Sequence, residues 1–541
     1  MSDPFTLAVV ESALESAADE MFEVLRKTAM SPIIYEVLDV GTGITDADGA
    51  LVSSGAGIPS FVGVLDKSVT SILAQDQGEI EEGDVFLVND PNHGGVTHLN
   101  DMVVAEPVFF GGQRVAWVAS IAHWGDIGGR TPGSMSTEVT EIVAEGLRLP
   151  VVRLFRRGER NEAVADIIRA NSRLPDFVTG DLWAQVSAGR RAAGLIRGLC
   201  QRYGVQTLQT AVTNARTAGR QRALAGLARL PKGRFEVAQR QDDGAEWKAV
   251  ITITDERFEV DVRGAPPAAA GPYNTSRDGT LIACQILFKA LTDPNRYANA
   301  GSFSPLVLIT QPGTIFDPGP EAPHGYYFET RIRLVDMLWR CIAGHAEQSL
   351  PAGHFASIFG TVIAGIHPDT GRRFTMVEPQ MGGWGATPER AGNDAMFSTN
   401  HGDTFNCPVE VAEARYGFEV VAKRLGEPKH SPGEHPGGRG VDIRYRMRGP
   451  AVMSVGLSHG VEPVWSLDGA QPGGLNQVRL RRGASEEIMP GFFSNLGLEA
   501  GDEVVLSSAS GGNAPQAKLR PSSGSRDPLH IAGPHRVKPR A

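Results

Sequence analysis

The amino-acid sequence predicts an α+β fold, with a mixed N-terminal region and a more β-rich C-terminal half. Apolar residues recur at helical spacing over residues 7–30, and they alternate as in a strand hairpin over residues 40–53. After Arg372 strand patterns dominate, and the loops between them are rich in glycine and proline. Helical and strand patterns therefore coexist early in the chain, whereas strands prevail later.

Local signals justify each element of the first half. Pro32 ends the first helix, and an Asp-Ala-Asp-Gly turn closes the hairpin. The patterns that follow predict a helix at 62–73, a strand at 84–88, two strands within 102–121 joined by a Gly-Gly turn, and helices at 162–202 and 206–227. Pro175 and Gly180 are expected to interrupt this helical stretch.

The second half begins with consecutive antiparallel strands from Gly233, joined by an Asp-Asp-Gly turn. A helix at 278–291, a strand at 306–309 and a helix near 329–348 are expected to follow. Boundaries near Arg229 and Gly449 divide the chain into an N-terminal α+β region (1–229), a central α+β region (230–449) and a C-terminal β region (450–514). Residues 515–541 are polar and basic, so we expect them to form a flexible tail.

Length and composition bound the function. At 541 residues the chain exceeds one ordinary domain, and its 41% apolar and 21% charged residues are typical of a soluble globular protein. The net charge of −10 argues against nucleic acid or an anionic membrane as the main partner. Four scattered cysteines without a CxxC pair indicate reduced thiols. The N-terminus does not resemble a signal peptide, and no apolar run would span a membrane, so we expect a cytoplasmic protein.

Two H-x-x-D pairs lie at the ends of the two strands predicted within 102–121. His98 and Asp101 close a glycine-rich loop, and His123 and Asp126 follow the second strand. Because the outer ends of a hairpin lie side by side, the two pairs can converge on one point. Imidazole and carboxylate groups suit zinc, manganese or iron(II), and two histidines with one aspartate leave positions open for water or substrate.

A single H-x-x-D pair is a weak signal, since a loop histidine is more often a surface or hydrogen-bonding residue. The surroundings strengthen the metal interpretation. Glycines at 94–95, 125 and 128–129 allow the backbone to approach a ligand closely. The segment is also unusually polar between strongly apolar strands, and buried polar groups need partners. The N-terminal region 1–229 is therefore predicted to carry a divalent-metal site.

Longer motifs resemble those of a known family. They are NDPNHGGVTHLNDM, AHWGDIGGRTPGSM and EGLRLPVVRL, with NSRLPDFVTGDLWAQ, GPYNTSRDGT and PVEVAEARYGFEV further on. On these segments the chain resembles the hydantoinase B/oxoprolinase family, which includes the B-type subunits of ATP-dependent hydantoinases and lactamases and the alpha subunits of acetone-type carboxylases. The resemblance implies that His98, Asp101 and His123 hold a divalent metal, with zinc and manganese both suitable.

The resemblance also implies a partner. A hydantoinase A-type subunit with an actin-like fold would bind ATP and magnesium and phosphorylate the substrate, as part of a heterotetramer or a larger assembly. The chain itself shows no GxxxxGK[ST] loop and no G-x-G-x-x-G segment between a strand and a helix, which agrees with ATP lying on the partner. Asp126 and Glu145 are predicted to orient the ligands or a small-molecule substrate, although Glu145 could equally brace a loop.

Three functions follow from these observations. The first is ATP-dependent ring opening of a hydantoin, 5-oxoproline or another lactam through a phosphorylated intermediate. The alternative is ATP-dependent carboxylation of a ketone. Carboxylase subunits of this group tend to be longer, so 541 residues favours ring opening. The third is a structural subunit that has lost its metal, which the intact set of His98, Asp101 and His123 disfavours.

Overall fold

One antiparallel sheet of seven strands organises the N-terminal part of the chain. The computed structural model describes residues 3–75, 79–92, 94–295, 297–346, 350–402 and 404–517. The strands run in the order β2-β1-β5-β4-β3-β6-β7. Their bounds are β1 Val40–Asp46, β2 Leu51–Gly57, β3 Val85–Val88, β4 Asp101–Phe110, β5 Gln113–His123, β6 Val152–Arg156 and β7 Glu159–Arg160.

Helices cover both faces of this sheet. They are α1 Pro4–Thr28, α2 Pro32–Tyr35, α3 Pro59–Gln75, α4 Glu162–Ala170, α5 Pro175–Tyr203 and α6 Val205–Leu227. Along β4 the side chain of Val104 joins a core shared with α1 and α5, whereas Val103 joins a core shared with α3. Because both faces are buried, the strands read as nearly continuous apolar runs instead of alternating with polar residues.

A smaller sheet follows, and its strands run in the order β11-β10-β9-β8. Its elements are β8 Gly233–Arg240, β9 Glu246–Ile253, β10 Phe258–Asp261, α7 Arg277–Thr292, β11 Leu306–Ile309 and α8 Tyr327–Ala343. Helix α8 is buried along most of its length, although it carries Glu329, Arg331, Arg333 and Asp336. Buried charges need partners, so α8 is a place where a binding site is expected.

Two further sheets occupy most of the last part of the described chain, in the orders β13-β12-β17-β20 and β14-β16-β21-β18-β19, and β15 pairs with β22. The elements are β12 Gly360–Ile366, β13 Arg373–Glu378, α9 Val409–Arg415, β14 Phe418–Leu425, β15 Glu434–His435, β16 Val441–Met447, β17 Ala451–Gly456, β18 Gln477–Arg482, β19 Ser485–Ile488, β20 Phe492–Leu498, β21 Glu503–Ser507 and β22 Ala514–Pro515. The predicted α+β class with a β-rich C-terminal half is confirmed.

Most predicted elements are present, and the predicted break at Pro175 is confirmed because α5 begins there. The predicted interruption at Gly180 is wrong, since this residue lies inside α5. A Cβ atom on Gly180 would lie 2.3 Å from the sulfur of Met30, so this glycine permits close packing of α5 on the segment after α1.

The predicted boundary at Gly449 does not coincide with a division between sheets, because both C-terminal sheets combine strands from before and after it. The division of the chain near Arg229 and Gly449 stays a prediction. Residues 518–541 of the predicted tail lie outside the described residues. Within the described ranges, no helix has the length and apolar character needed to cross a membrane.

Candidate metal centre

Strand register brings two of the predicted ligands together. Strand β4 begins at Asp101 and β5 ends at His123, and these two residues are direct partners across the hairpin. The expectation that the hairpin ends converge is therefore met for this pair. Side chains that lie opposite each other in an antiparallel pair have Cβ atoms about 5 Å apart, close enough for their functional groups to meet.

His98 reaches the same point from the loop before β4. The Asp101 amide donates to the His98 carbonyl at 3.1 Å, which turns the loop back onto the strand. The Nδ1 atom of the His98 ring lies 3.1 Å from the Gly325 carbonyl oxygen, just before α8. A carbonyl only accepts hydrogen bonds, so Nδ1 carries the proton and Nε2 presents its lone pair.

The three ligand atoms form a nearly equilateral triangle. His98 Nε2 lies 3.2 Å from His123 Nδ1 and 3.3 Å from Asp101 Oδ1, and His123 Nδ1 lies 3.2 Å from Asp101 Oδ1. At zinc bond lengths near 2.1 Å, neighbouring ligand atoms of a tetrahedral ion lie roughly 3.4 Å apart. The triangle therefore has the size that one ion requires.

With both rings neutral, hydrogen bonds alone do not satisfy this arrangement. Both His98 Nε2 and Asp101 Oδ1 are acceptors, and a proton on His123 Nδ1 can be donated to one of them but not fully to both. Two lone pairs would then still face each other in a buried place, which costs free energy. The buried Nε2 atom of His123 also has no hydrogen-bond partner among the described residues. The donor set thus fits a divalent cation better than it fits a hydrogen-bonded cluster.

The other oxygen of Asp101 is held by hydroxyl groups. Thr97 donates a short hydrogen bond to Oδ2, and the Tyr327 hydroxyl lies 3.4 Å from the same atom. Burial opposes ionisation of Asp101, but His98 and His123 outweigh it and hold the pKa of this carboxyl well below its ordinary value. Asp101 is therefore kept as a carboxylate, the form that binds a cation.

Glu145 supports the loop that orients His98. Its Oε1 atom accepts a hydrogen bond of 2.5 Å from the Gly325 amide, in the same residue whose carbonyl contacts the His98 ring. Glu145 is buried, and its Oε2 atom has no partner among the described residues. The predicted role of Glu145 in orienting a ligand stays a prediction, and these contacts supply a route for it through Gly325.

Asp126 faces another loop. Its two oxygens accept hydrogen bonds from the backbone amides of Gly128, Gly133 and Arg173, and the Arg173 guanidinium lies 3.1 Å from Oδ2. The second H-x-x-D pair is thus built differently from the first, since its aspartate braces the loop after β5. An orienting role for Asp126 at the site stays a prediction, and its contacts favour a structural one.

A cavity of about 40 Å³ opens beside the triad. One water molecule needs roughly 10–15 Å³ measured in this way, so the cavity holds a larger group. Its walls are mainly apolar and come from distant parts of the chain: Ile33, Ile58, Phe61, Met135, Phe328 and Ile358. Apolar walls next to a cluster of polar groups are typical of a small-molecule site.

Four acidic or basic groups in this cavity escape sequence reasoning: Asp39, Arg331, Glu378 and His401. Asp39 immediately precedes β1, its carbonyl accepts from the His123 amide at 3.0 Å, and its Oδ1 lacks a partner among the described residues. Burial raises the pKa of Asp39 to about 7, against the opposing effect of His123. His401 lines the cavity from the central region, and burial lowers its pKa to about 3. The neutral ring of His401 remains able to accept a hydrogen bond or bind a cation.

Comparison with known proteins gives the family. A family model described as hydantoinase B/oxoprolinase matches residues 3–513. The chain belongs to the hydantoinase B/oxoprolinase family. Among relatives, the B-type component of a putative D-/L-hydantoinase from Pseudomonas sp. (strain NS671) is 26% identical over 94% of this chain and 89% of its own length. The beta component of the caprolactamase of Pseudomonas jessenii is 27% identical over 85% of this chain and 80% of its own length.

Solved structures agree with this family fold. The ATP-dependent caprolactamase from Pseudomonas jessenii superposes with a TM-score of 0.88 at 24% identity, over 95% of this chain and 91% of the other. A nucleotide-free acetone carboxylase superposes with a TM-score of 0.84 at 16% identity, over 95% of this chain and 75% of the other. At these identities both comparisons show the shared fold alone.

In this hydantoinase B/oxoprolinase chain, the buried carboxyl of Glu145 is expected to make stability depend on pH. Burial raises its pKa to about 8, against a usual value of 4.5. Between these values the folded chain keeps a proton that the unfolded chain releases, so this contribution to stability is complete below about pH 4.5 and is lost as the pH rises to about 8. The limiting slope is about 1.4 kcal/mol per pH unit.

Urea unfolding of the wild type and of Glu145→Gln, measured from pH 5 to pH 8, tests this expectation. The variant cannot titrate, so its stability relative to the wild type should rise as the pH increases. Glu256→Gln, at an exposed turn, is the control and should follow the wild type. Parallel curves for Glu145→Gln and the wild type would show that Glu145 ionises normally in the folded chain.

Proposed function

We propose that this chain is the metal-binding subunit of an ATP-dependent cyclic amide hydrolase, which opens a hydantoin, 5-oxoproline or other lactam ring together with an A-type, ATP-binding subunit. The observation that carries the proposal is the convergence of His98, Asp101 and His123 on one point beside a cavity. The family match and the names of the hydantoinase and caprolactamase relatives, both described as subunits, support the reaction class and the need for a partner.

A ring amide resists attack by water because nitrogen lone-pair donation stabilises the carbonyl. Phosphorylation of the carbonyl oxygen by the partner, with ATP as phosphoryl donor, would make the carbonyl carbon open to attack by water. The resulting adduct would break its C–N bond, with the nitrogen leaving as a protonated amine and an acyl phosphate remaining. A second water would hydrolyse that acyl phosphate to a carboxylate and inorganic phosphate. A divalent ion held by His98, Asp101 and His123 would supply Lewis-acid polarisation of an oxygen ligand. Zinc and manganese both suit this donor set.

The residues of this chain have distinct tasks in such a reaction. Thr97 and Tyr327 fix the Asp101 carboxylate, and the Gly325 carbonyl fixes the His98 ring. The apolar walls exclude bulk water, which limits loss of an activated ring to side reactions. The Asp39 carboxyl lies in the cavity wall with its Oδ1 atom unpartnered among the described residues, so it is placed to exchange a proton with a substrate group beside the triad.

Turnover of the purified chain with and without its A-type partner tests the proposal. With the partner and ATP, ring-opened product should form from lactams or hydantoins, coupled to ATP hydrolysis. The chain alone should neither hydrolyse ATP nor turn over substrate. Carboxylated product from a ketone with bicarbonate, in place of ring opening, would assign the chain to the carboxylase branch. Substantial ATP hydrolysis by the isolated chain would contradict the division of labour between the subunits.

A further inference from the structure

Arg331 on helix α8 is a fully buried cation in the wall of the cavity beside the triad. Its Nη2 atom donates to the Tyr327 hydroxyl at 3.3 Å, and its guanidinium carbon lies 4.5 Å from the centre of the Tyr327 ring. The other two nitrogens, Nε and Nη1, have no hydrogen-bond partner among the described residues. An arginine with two unpartnered nitrogen atoms in a buried place needs an explanation, because desolvation of a charged group is costly.

The carboxylates around the cavity leave Arg331 unpaired. Asp101 is occupied by Thr97, Tyr327 and the two histidines. Glu378 accepts one hydrogen bond from the Cys407 amide and another from the Tyr445 hydroxyl. Asp39 is the third carboxyl of the wall, and its Oδ1 atom has no partner among the described residues. Within the described part of the chain, none of the three carboxyls hydrogen-bonds to Nε or Nη1 of Arg331. Asp101 offsets part of this buried charge from behind the Tyr327 hydroxyl, but no carboxylate among the described residues hydrogen-bonds to Nε or Nη1 of Arg331.

The Tyr327 hydroxyl connects Arg331 to the triad. The Tyr327 hydroxyl lies between them, 3.3 Å from Arg331 Nη2 and 3.4 Å from Asp101 Oδ2. Tyr327 and Arg331 are four residues apart on α8, so they share one face of the helix. A group placed against the triad in this cavity thus has the guanidinium within the same enclosure.

We propose that Arg331 recognises an oxyanion of the substrate, either a carboxylate or a phosphoryl group, while the substrate lies against the triad. A guanidinium presents its donors as a planar fork that matches carboxylate and phosphate oxygens, and it stays charged when buried. The identification of that oxyanion with part of a lactam substrate rests on the proposed function. The anion-binding chemistry of the cavity rests on Arg331 itself.

Binding of inorganic phosphate to the metal-loaded, full-length chain tests the site directly. Calorimetric titration should show that Arg331→Met weakens phosphate binding at least tenfold and that Arg331→Lys, which keeps the charge but loses the fork, weakens it less. Arg333→Met is the matched control, since Arg333 is a buried arginine of the same helix that approaches Asp242 instead of the cavity. This control should bind phosphate as the wild type does.

Thermal unfolding separates a binding role from a structural one. An arginine kept for a ligand is a burden on the unliganded fold, so Arg331→Met, which removes the buried charge, should unfold at or above the wild-type temperature without phosphate. Phosphate should stabilise the wild type more than either variant. Equal phosphate affinity in the wild type and in folded Arg331→Lys would overturn the proposal. So would absence of phosphate binding to the wild type, or a large loss of stability in Arg331→Met.

Kinetics of the complex with its A-type partner and ATP then distinguish the two sources of the oxyanion. The matched substrates are 5-oxoproline, which carries a carboxylate, and 2-pyrrolidinone, which has the same ring without it. A tenfold or larger rise of KM for 5-oxoproline alone in Arg331→Lys would identify the substrate carboxylate. A fall of kcat for both would identify the added phosphoryl group. If kcat and KM for both substrates are unchanged in Arg331→Lys, the proposal is wrong. If the wild type turns over neither substrate, the proposed function is contradicted, and the phosphate titration alone decides the role of Arg331.

Discussion

Replacing His98 or His123 with alanine is expected to strip the metal from the purified chain and to abolish turnover by the complex. Each substitution removes one of the three atoms of the triangle, in which every pair lies 3.2–3.3 Å apart. Two remaining ligands hold an ion weakly, so the loss should exceed the roughly 10–100-fold that removal of an outer supporting contact costs. The fold should persist, because the hairpin is anchored by apolar cores on both faces.

Elemental analysis after dialysis, together with turnover in the presence of the A-type partner, measures this effect. His367→Ala is the matched control. It removes a buried histidine that directly follows β12. The cavity lies at the opposite end of this strand, where Gly360 lines it. At about 3.3 Å per residue, His367 is therefore roughly 23 Å from Gly360 along the strand. A His98→Ala chain that keeps a full complement of metal would show that the ion lies elsewhere.

Asp101→Asn is expected to be nearly as severe as loss of a histidine. The amide keeps the shape of the side chain but neither neutralises the ion nor accepts hydrogen bonds from Thr97 and Tyr327 as strongly. Because the shape is retained, the same experiments on this variant separate the effect of the charge from the effect of packing.

Glu145→Ala is expected to lower metal affinity by about 10–100-fold without removing any ligand atom. The substitution frees the Gly325 amide, so the carbonyl of the same residue no longer holds the His98 ring in a single orientation. Glu145→Gln is the control for this change, since its side-chain oxygen can still accept from Gly325 and the carboxyl it replaces has a pKa of about 8.

Competition with a chelator of known affinity gives the metal affinity of both Glu145 variants. The wild type and Glu145→Gln are expected to have equal metal affinity, and Glu145→Ala is expected to bind the metal more weakly. Equal affinities for Glu145→Ala and the wild type would confine Glu145 to bracing its loop. In that event the orientation of His98 must be set by its own loop and by the packing of Tyr327 and Phe328 against the ring.

The sequence is sufficient for the part of the site that depends on neighbours along the chain. His98, Asp101 and His123 flank a single hairpin, so local pairing alone brings them together. Asp39 and Arg331 depend on long-range packing. Asp39 meets His123 because β1 lies next to β5, and Arg331 arrives with α8 from the central region. Neither contact has a signature in the spacing of residues.

The same distinction between local signals and long-range packing explains the errors in the predicted fold. The helix and hairpin patterns of the first half predict their elements correctly because periodicity reports which faces are buried. The interruption at Gly180 is predicted because glycine lowers helix propensity. The prediction is wrong because close packing against Met30 requires a glycine inside the helix at this position. Asp126 matches the spacing of Asp101 but not its surroundings, since Arg173 and a ring of backbone amides bind its oxygens.

The exact pairing of Asp101 with His123 makes the site sensitive to insertions and deletions. Adding or removing one residue within either strand would turn every following side chain to the opposite face and separate the two ligands. Exchanging one apolar residue for another leaves the number of residues in each strand unchanged. Extra residues can be accommodated at the turn of Gly111 and Gly112, which has open space around both residues. Divergence among related chains is therefore free to lengthen the far end of this hairpin while the strands that reach the metal keep their number of residues.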